Sequence, residues 1–466
     1  MANGGTVVLD VGKTLAKATL WDEQGACIAH RSRPNRQPTV DGVLVLDVGG
    51  IEPWLEATLR EFVALKSVGA IIPVAHGAGA AIIGSGRLQC APIDYEWRAL
   101  SLNRAAYDKE RDPFRATGSP ALPAGLNLGM QLHWLESSRS SDFRSGTIVP
   151  WAQYWAWLLS GVAASEVTSL GCHTDLWRPF ERRPSDLALR RGWAERLAPV
   201  QPADAIVGTL TVEWAKRTGL SDRVEIYCGL HDSNAALLAA RRHPELQGHD
   251  ATVLSTGTWF VAMRTPQHGA ADIPDLPETR DCLVNVDVAG APVPSSRFMG
   301  GRELELLTGD EASMIDVRFA QKAHQAQAIE AVERGEMLLP SPIPGVGPFP
   351  NAPQRAAPAS SDLGRTAVAH LYAALVADVS LDLIGSRDTL LIDGRFSQAP
   401  VFVQALARLR PETTVFISDD ENGVAHGALQ LLHRGPRPAG PLERVVPLSV
   451  DMAEYRARWR DAAEQL

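Results

Sequence analysis

The sequence is poor in cysteine, in long apolar runs and in basic charge. Its five cysteines are an odd number and are widely spaced along 466 residues. That spacing fits neither a disulfide framework nor a CxxC metal site, so we expect reduced, mostly buried thiols. No apolar run approaches the ~20 residues that a membrane span needs. The opening MANGGTVVLD lacks the basic segment of a signal peptide and enters a strand almost at once.

These absences limit the classes of function that we expect. With a net charge of −9, neither nucleic acid nor an anionic membrane is expected as the main partner. Reduced thiols and the lack of a signal segment predict a cytoplasmic protein. The length predicts two or more domains with ample core, and a homodimer is the default expectation for the assembly.

The segment VVLDVGKTLAKATLWD, residues 7–22, contains Gly12-Lys13-Thr14 and so resembles the end of a P-loop. A P-loop needs a glycine five positions before Gly12, where Val7 stands, and it opens a helix. Here the residues after Thr14 alternate in polarity and predict a second strand. The segment is therefore interpreted as a strand, a tight Asp-x-Gly turn and a strand. Such a turn still offers backbone N–H groups and a hydroxyl to phosphate oxygens.

The second half of the chain begins in the same way. Residues 252–254 predict a strand, Ser255-Thr256-Gly257-Thr258 a turn, and residues 259–263 another strand. The pattern mirrors residues 7–20, although it is too short to define a sequence repeat. It predicts two related domains, each offering a turn rich in hydroxyls and N–H groups to one ligand held between them.

Apolar periodicity predicts the remaining elements. Helices are expected over 51–67, 126–135, 150–160, 234–241, 366–383, 399–409 and 423–433, and strands over 70–75, 224–230, 390–393 and 414–417. The tail from Ser449 predicts an amphipathic surface helix. Residues 338–353, dense in Pro and Gly, are either a surface connection or a stiff loop that forms a cleft wall.

Polar residues next to these predicted strands are candidates for chemistry. His231 and Asp232 follow a buried strand, where open α/β sheets place their ligands. Asp232 also stands where a helix begins, so it is either an N-cap or a general base for an alcohol. Asp10 either braces its turn or faces a magnesium ion. Lys17 is either solvated surface or a counter-charge for phosphate.

In their order along the chain, these motifs resemble those of the FGGY-family carbohydrate kinases. DVGKT resembles the family's first phosphate motif, VAHGAG and LNLGMQLHWL its sugar segments, GLHDSNAA its catalytic-base motif, STGTW its second phosphate motif, LLPSPIPGVGPFP its loop near the nucleotide, LLIDGRFSQAPVFVQALA its adenosine motif and VAHGALQLL its closing helix. The resemblance covers nearly the whole chain, and it is the ordered set that is specific.

The resemblance implies an α/β fold with two actin-like (ribonuclease H-like) domains flanking an interdomain cleft. It implies an N-terminal domain over 1–244 that binds sugar and phosphate and carries the base, a nucleotide-binding domain over 245–440 and a tail helix over 441–466. The implied reaction transfers the γ-phosphoryl group of ATP to a hydroxyl of a small sugar, with ATP and Mg²⁺ required.

The same resemblance implies roles for individual residues. Asp232 would be the catalytic base and contact the sugar together with His76, Gly77, Asn127, Gln131 and His231. The nucleotide would be bound by Gly12, Lys13, Thr14, Lys17, Thr256, Gly257, Thr258, Gly345, Gly394, Arg395 and Gln398. Asp10 would face the magnesium ion.

Two positions depart from the family's usual pattern. Lys13 replaces a threonine and either adds a positive donor to the phosphates or points outward. Arg395 replaces the second glycine of the adenosine motif, and its guanidinium is a candidate to stack on the base. Nucleotide preference and affinity are therefore left open.

The substrate is also left open by the sequence. DVGKT, NVDVAGAPVPSSRFMGGRE and GSPALPAGLNLG resemble a subgroup associated with deoxy-ketoses such as L-rhamnulose and L-fuculose. Alternatives within the family are a xylulose, ribulose or polyol kinase. Alternatives of another class are a ligand-binding regulator without turnover and an ATPase that couples its nucleotide state to a protein partner.

Overall fold

The computed structural model describes residues 4–309, 317–354, 363–418, 422–432 and 441–466. The chain forms two compact units, unit 1 with Met1–Ala240, Val284–Pro292 and Asn422–Pro438, and unit 2 with Arg241–Leu283, Val293–Glu421 and Ala439–Leu466. The first change of unit, after Ala240, lies close to the boundary expected at 244. The sequence analysis did not predict that the chain returns to unit 1 twice. The boundary expected at 440 lies outside the described residues.

Unit 1 contains a mixed sheet with helices around it. Its strands are β1 Gly5–Val11, β2 Leu15–Trp21, β3 Cys27–Pro34, β4 Thr39–Val40, β5 Val43–Leu44, β6 Val68–Ala75, β7 Ala80–Gly84, β8 Arg87–Cys90, β9 Thr147–Pro150, β10 Trp177–Arg178, β11 Arg183–Pro184, β12 Ile206–Thr209, β13 Glu225–Tyr227 and β14 Leu230–His231. Its helices are α1 Val48–Leu65, α2 Arg104–Asp108, α3 Phe114–Thr117, α4 Leu128–Ser138, α5 Ser140–Ser145, α6 Trp151–Ser160, α7 Val167–Leu170, α8 Asp186–Arg190, α9 Val212–Thr218, α10 Asp232–Ala240 and, late in the chain, α15 Gly423–Leu429.

The main sheet of unit 1 has the order β12-β13-β6-β1-β2-β3, and β14 also pairs with β6. β1 and β2 form the predicted hairpin, while β1, β6 and β14 run parallel to one another. The register aligns Val11 with Ala75 and Ala75 with His231. The carboxyl ends of these three strands therefore meet at one edge, which is where open α/β sheets bind ligands.

The strand predicted over 224–230 is wrong as a continuous element. It is divided into β13 and β14 by Cys228 and Gly229. Gly229 has φ +75°, and a methyl group there would overlap the carbonyl oxygen of Pro73. This positive φ, which favours glycine, lets the chain break its pairing and resume it at Leu230.

Unit 2 repeats the same plan. Its strands are β15 Ala251–Thr256, β16 Phe260–Thr265, β17 Cys282–Val286, β18 Pro292–Phe298, β19 Thr389–Gly394, β20 Thr414–Ile417 and β21 Glu443–Arg444, with β17 and β18 containing the changes of unit. Its helices are α11 Gly300–Thr308, α12 Val317–Arg334, α13 Leu363–Leu383, α14 Pro400–Leu409 and α16 Ala453–Glu464.

The sheet order of unit 2, β18-β16-β15-β19-β20, matches the order β3-β2-β1-β6-β13 of unit 1. In each unit an antiparallel hairpin is followed by a parallel partner, β6 for β1 and β19 for β15. The similarity that two short turns suggested is thus present in the topology of both units, and the predicted α/β class is correct.

One helix of the described residues, Gly364–Leu383, is long and apolar enough to cross a membrane by length and composition alone. The sequence analysis missed this run. Because 83% of its apolar window is buried inside the protein, and because the window includes Asp378, the helix has the character of a core helix.

The other predicted helices are present, with ends that differ by a few residues. The helix expected over 423–433 is described as far as Leu429, and residue 433 lies outside the described residues. The tail helix α16 is amphipathic as predicted, but it is more than a surface helix. One of its faces buries Tyr455 and Trp459, so this face forms part of the core of unit 2.

Candidate active site

The end of β14 presents Asp232, whose side chain is 28% exposed. Its Oδ1 accepts hydrogen bonds from the backbone N–H (2.6 Å) and the hydroxyl (3.2 Å) of Ser233. An N-cap carboxylate bonds a backbone N–H two or three residues further on, and among the described residues Asp232 makes no such bond. Its Oδ2 receives no hydrogen bond from any described residue. The carboxylate is therefore placed to accept a proton from a ligand.

The ring of His231 lies beside this carboxylate and is oriented by two polar contacts. Its Nδ1 lies 3.1 Å from the amide Nδ2 of Asn234, which donates to it, and its Nε2 lies 3.3 Å from Oδ1 of Asp232. With Nδ1 as the acceptor, the proton of a neutral ring is on Nε2 and faces Asp232. Burial lowers the pKa of His231, while the charge of Asp232 raises it.

Two buried side chains, those of Thr168 and Glu166, hold the backbone of His231 in place. The backbone N–H of His231 donates to Oγ1 of Thr168 (3.0 Å), and that hydroxyl donates to Oε2 of Glu166 (2.5 Å). Burial raises the pKa of Glu166 to about 7, and its hydrogen bonds to Thr168 and Ser169 oppose the rise. The segment that carries Asp232 is thus fixed by hydrogen bonds on its inner side.

Asp10 lies at the end of β1 and interacts electrostatically with Asp232. Its pKa is raised to about 7, first by burial and then by the charge of Asp232, whereas Lys17, its partner across the hairpin, lowers it. A divalent cation would favour the ionised form of this carboxyl group. The carboxylate oxygen is the ligand type that magnesium prefers, so Asp10 fits the expected role on chemical grounds.

His76 follows the end of β6. Both of its ring nitrogens are buried and lack a hydrogen-bond partner among the described residues. Burial lowers its pKa to about 4, so the ring is neutral near pH 7. The ring packs edge-on against Tyr95 (5.6 Å between centroids) and tilted against Trp151 (6.4 Å). Unpaired buried nitrogens are costly and call for an explanation, and a bound hydroxyl would pair them.

Gly77, next in the chain, is closely surrounded. A methyl group at this position would overlap Sγ of Cys172 and come within 3.1 Å of the His231 ring. Burial raises the pKa of the Cys172 thiol to about 12, which keeps it protonated. The absence of a side chain at Gly77 therefore lets the backbone after β6 pass beside His231.

The first turn, Gly12–Thr14, is braced by Asn35. The side-chain Nδ2 of Asn35 donates to the carbonyl of Gly12 (2.9 Å), and its backbone N–H donates to the carbonyl of Thr14 (2.8 Å). Thr14 is exposed and Gly12 is partly exposed, with the carbonyl oxygen of Leu15 3.1 Å from the position of its missing Cβ. The turn therefore keeps free surface on which a phosphate group can bind.

Lys13 does not extend freely from this turn. Its ammonium group forms an ion pair with the buried carboxylate of Asp94, lies 3.5 Å from Glu96 and stands 4.7 Å from the centre of the Tyr95 ring. Lys13 is therefore not an outward side chain, and its role as a phosphate donor stays a prediction. The structure connects the first turn to the segment that carries Tyr95.

In unit 2 the second turn follows β15. The hydroxyl of Thr256 donates to the carbonyl of Asp393 (2.6 Å) and accepts from the backbone N–H of Phe396 (3.0 Å), so it holds the end of β19. Gly394 has φ +87°, and a methyl group there would approach the Thr256 carbonyl to 2.6 Å. Thr258 is exposed. The hydroxyl that remains available in this turn is therefore that of Thr258.

The first turn of α11 packs directly on the second turn. A methyl group at Gly301 would overlap the carbonyl oxygen of Gly257, and the backbone N–H of Arg302 lies 3.4 Å from the carbonyl of Thr258. Helix N-termini favour negative charge because their first N–H groups have no partner in the helix. The turn and the helix start together form a setting suited to phosphate.

The remaining nucleotide residues predicted in unit 2 lie at the end of β19, in the turn that follows it and on the Pro-rich segment. Arg395 forms an ion pair with Glu305 (3.2 Å) and lies 5.2 Å from the centre of the Phe396 ring. Gln398 is exposed. Gly345 has φ +81°, no atom lies within 4 Å of its missing Cβ, and its N–H donates to Pro350 (3.1 Å).

Comparison with known proteins bears on this arrangement. Residues 248–439 match the C-terminal domain of the FGGY carbohydrate kinases. The whole chain is similar to a carbohydrate kinase from Novosphingobium aromaticivorans, with 47% identity over 100% of this chain and 99% of that one, and a TM-score of 0.91. The chain belongs to the FGGY carbohydrate kinase family.

More distant kinases share the fold. A xylulose kinase from Rhodospirillum rubrum is 18% identical, with a TM-score of 0.75 and coverage of 99% and 98% of the two chains. A glycerol kinase from Plasmodium falciparum, solved with ADP, is 12% identical, with a TM-score of 0.72 and the same coverage. At these identities the similarity shows the fold alone. A comparison with curated proteins gives no significant match.

The protein is therefore a carbohydrate kinase with the actin-like, two-domain α/β fold that the motifs implied. Kinases of this family use ATP. The finer resemblance to rhamnulose and fuculose kinases is not shown by these relatives, and it remains part of the proposal below.

Two of the predicted sugar ligands, Asn127 and Gln131, make hydrogen bonds within unit 1, and their role in sugar binding stays a prediction. Asn127 is fully buried, with its Oδ1 accepting from Leu122 and its Nδ2 donating to Pro120 (2.9 Å) and His173 (3.0 Å). Gln131 is also buried, and its Nε2 donates to the carbonyl oxygens of Ala78 (3.0 Å) and Gly125 (2.7 Å). Through these hydrogen bonds both side chains stabilise the surrounding loops.

The hydroxyl of Thr256 is likewise hydrogen-bonded within the kinase and buried, and its role in nucleotide binding stays a prediction. Conversely, the sequence analysis missed Asp94, Tyr95, Glu166 and Thr168. Asp94, Tyr95 and Thr168 contact partners that are distant in sequence, and Glu166 acts on His231 only through Thr168. The short acidic and aromatic run Asp94-Tyr95-Glu96-Trp97 was the one available signal.

Proposed function

We propose that the kinase transfers the γ-phosphoryl group of ATP to a hydroxyl of a small ketose, with deoxy-ketoses such as L-rhamnulose and L-fuculose as the first candidates. The observation that carries this proposal is the carboxylate of Asp232. It stands at the end of a buried strand, it is partly exposed, and its Oδ2 has no donor among the described residues. An alcohol in contact with this oxygen would lose its proton to it as the phosphoryl group arrives.

The acceptor would be oriented by neutral imidazoles. The ring nitrogens of His76, buried and unpaired, can donate to one hydroxyl and accept from another. The Nε2–H of His231 faces Asp232 and keeps that carboxylate in place. Gly77 leaves room for a hydroxyl near the backbone, whereas Asn127 and Gln131 support the surrounding loops.

Each unit by itself offers a turn that suits phosphate groups. In unit 1 the backbone of Gly12 and Thr14 and the charge of Lys17 suit phosphate oxygens. In unit 2 we assign the phosphates to Gly257, Thr258 and the start of α11, and the adenosine to Gly345, Gly394, Arg395 and Gln398. Magnesium, with Asp10 near it, would supply positive charge that offsets the charge of the phosphates.

Xylulose, the ribuloses and polyols are the alternative substrates. The fold is shared with a xylulose kinase and a glycerol kinase, so xylulose, the ribuloses and polyols belong in any test. The contacts of His76 and Asp232 suit hydroxyl groups in general, and they do not favour one of these sugars over another.

The test is ADP release by the purified kinase with ATP and Mg²⁺ across ketoses, aldoses, polyols and sugar acids, including L-rhamnulose, L-fuculose, D-xylulose and both ribuloses. We expect one compound to stimulate ADP release strongly. Asp232→Asn should lower that rate by about 10²–10⁴-fold, the usual contribution of a general base. The matched control Asp222→Asn, an exposed aspartate of the same unit, should keep the wild-type rate. Constant hydrolysis that no compound changes would refute the ketose assignment.

A further inference from the structure

The Pro- and Gly-rich segment around Gly345 is attached to the rest of unit 2 through Asp281. Oδ2 of Asp281 accepts a hydrogen bond from the backbone N–H of Gly347 (2.7 Å). Its Oδ1 lies 3.2 Å from both Nε and Nη2 of Arg297, and the two side chains are only 11% and 12% exposed. One carboxylate thus binds the loop with one oxygen and a strand with the other.

Arg297 continues this connection to the second turn. It belongs to β18, where it is paired with Val261 of β16. Its guanidinium lies over the ring of Trp259, 4.8 Å from the ring centre, and Trp259 directly follows Thr258. An arginine over a tryptophan face is attracted to the ring electrons. Asp281 therefore links the backbone of Gly347 to the residue that closes the second turn.

The far side of the same segment is held by α16 and by Arg280. The hydroxyl of Tyr455 donates to the carbonyl of Glu336 (2.7 Å), and Nε1 of Trp459 donates to the carbonyl of Leu338 (2.6 Å). Nε of Arg280 donates to the carbonyl of Pro348 (2.8 Å). The segment is thus anchored before and after Gly345, while nothing fills the space at Gly345 itself.

From these contacts we propose that Asp281 is a positioning residue for the nucleotide, acting through Gly347 and through Arg297 on the two segments that bind it. The inference rests on the proposed role of the Gly345 loop and the second turn in nucleotide binding. Gly345 and Gly347 both have positive φ and high intrinsic freedom. Backbone groups bind a phosphate or a base well only when they are held close to the right geometry, and Asp281 supplies that restraint.

The backbone of Asp281 has a conformation that few residue types adopt. Its φ is +54°, in the left-handed region that residues other than glycine seldom occupy, although Asp and Asn are enriched there. Asp281→Asn is therefore the mild variant, since Asn tolerates the same backbone and keeps one acceptor. Asp281→Ala removes both connections at once.

The experiment measures the Kd of MgADP by titration calorimetry for the full-length wild type and its variants. We expect Asp281→Ala to weaken binding about tenfold or more, the change that corresponds to losing one hydrogen bond to a charged group. The Kd of Asp281→Asn should lie between that of the wild type and that of Asp281→Ala. Arg297→Leu should weaken binding as well, and adding it to Asp281→Ala should cost little more, because both act in one connection.

The control for a purely structural effect is Asp250→Asn. Asp250 pairs with the buried Arg264 elsewhere in unit 2 (2.6 Å), so this change is expected to lower Tm without altering the Kd. If the wild type and Asp281→Ala bound MgADP with the same Kd, the inference would be overturned while the nucleotide assignment stood. The same would follow if Asp250→Asn weakened MgADP binding as much as Asp281→Ala. Absence of MgADP binding in the wild type would overturn the nucleotide assignment itself, and the inference with it.

Discussion

The ammonium group of Lys13 in the first turn is paired with Asp94, a carboxylate that is 1% exposed and that follows a different strand of unit 1. The pair places Lys13 over Tyr95, whose ring packs against His76. A residue that the motif resemblance assigned to phosphate thus also contacts the wall beside the proposed acceptor. Lys13 thus has two candidate roles, binding of phosphate and support of the segment beside the acceptor, and an experiment can distinguish them.

Lys13→Thr, which restores the family's usual residue, is predicted to leave the Kd of MgADP within about twofold and to raise the KM of the acceptor. Removing one partner of a buried ion pair leaves the other charge uncompensated, so the segment of Asp94 and Tyr95 should shift and Tm should fall. Lys66→Thr, which breaks a more exposed pair with Glu23, is the control. A loss of MgADP affinity of tenfold or more would show instead that Lys13 binds phosphate.

Thr168→Val is predicted to lower kcat about tenfold while the Kd of MgADP stays unchanged. Valine has nearly the same shape, but it leaves the N–H of His231 and the carboxyl group of Glu166 without their hydroxyl partner. A buried group without its partner costs about 1–3 kcal/mol, and the backbone next to Asp232 is expected to move to recover it. Thr168→Ser, which keeps the hydroxyl, should restore the wild-type rate. If both variants reduced kcat equally, the hydrogen bond would not be the cause.

Glu303 is predicted to make the stability of the kinase depend on pH. It is buried in α11, and burial raises its pKa from 4.5 to about 7, against the hydrogen bond from Tyr372. Because the folded pKa is the higher one, this contribution to the free energy of unfolding is complete below pH 4.5 and is lost as the pH rises through 7. Glu303→Gln should show no such loss.

The stability of Glu303→Gln relative to the wild type should therefore grow between pH 4.5 and pH 7, by on the order of 3 kcal/mol, and then stay constant. Urea unfolding at several pH values measures this difference. Glu330→Gln, at a surface carboxylate of α12 that pairs with Arg334, is the control and should give no such trend. A difference for Glu303→Gln that does not change with pH would contradict the prediction.

Asp378→Asn is predicted to lower the free energy of unfolding by about 3 kcal/mol or more, as breaking a buried ion pair does. Asp378 is fully buried, and its carboxylate binds Arg410 (3.0 Å) and Arg456 (2.6 Å) and forms a further ion pair with Arg460. Asp382→Asn, on the same helix with the same arginines but 40% exposed, should cost less than about 1 kcal/mol. Equal effects of both changes in urea unfolding would contradict this explanation.

Much of the fold was predictable because it depends on short apolar patterns. The two hairpins, the parallel strand near Ala75 and the helix near Trp151 follow from residues that alternate or repeat within one element. The break at Gly229 was not predictable in this way, because its cause is the carbonyl of Pro73, a residue far away in sequence. The buried face of α16 was missed for the same reason, since Trp459 is buried by partners outside its own segment.

In the candidate site, too, some features follow from local patterns and others depend on residues that are distant in sequence. Asp10, His76 and Asp232 could be predicted because each stands at the end of a strand and because the motifs occur in the family's order. The contacts of Asn127 could not be predicted, because they depend on how the preceding loop folds back. The pairing of Lys13 with Asp94 joins residues from separate segments, so no pattern within either segment indicates it.

The late position of α15 in the chain has a consequence for synthesis on the ribosome. This helix packs on α10 and buries Ala425, Ala428 and Leu429 in unit 1, yet 182 residues (241 to 422) lie between the two helices. At about 5–20 residues per second, translation of that stretch takes roughly 10–40 s. During this interval the nascent chain presents an uncovered apolar surface on α10, which is the kind of surface that chaperones bind. A fragment ending at Ala240 would keep that surface exposed, so it should aggregate rather than fold independently.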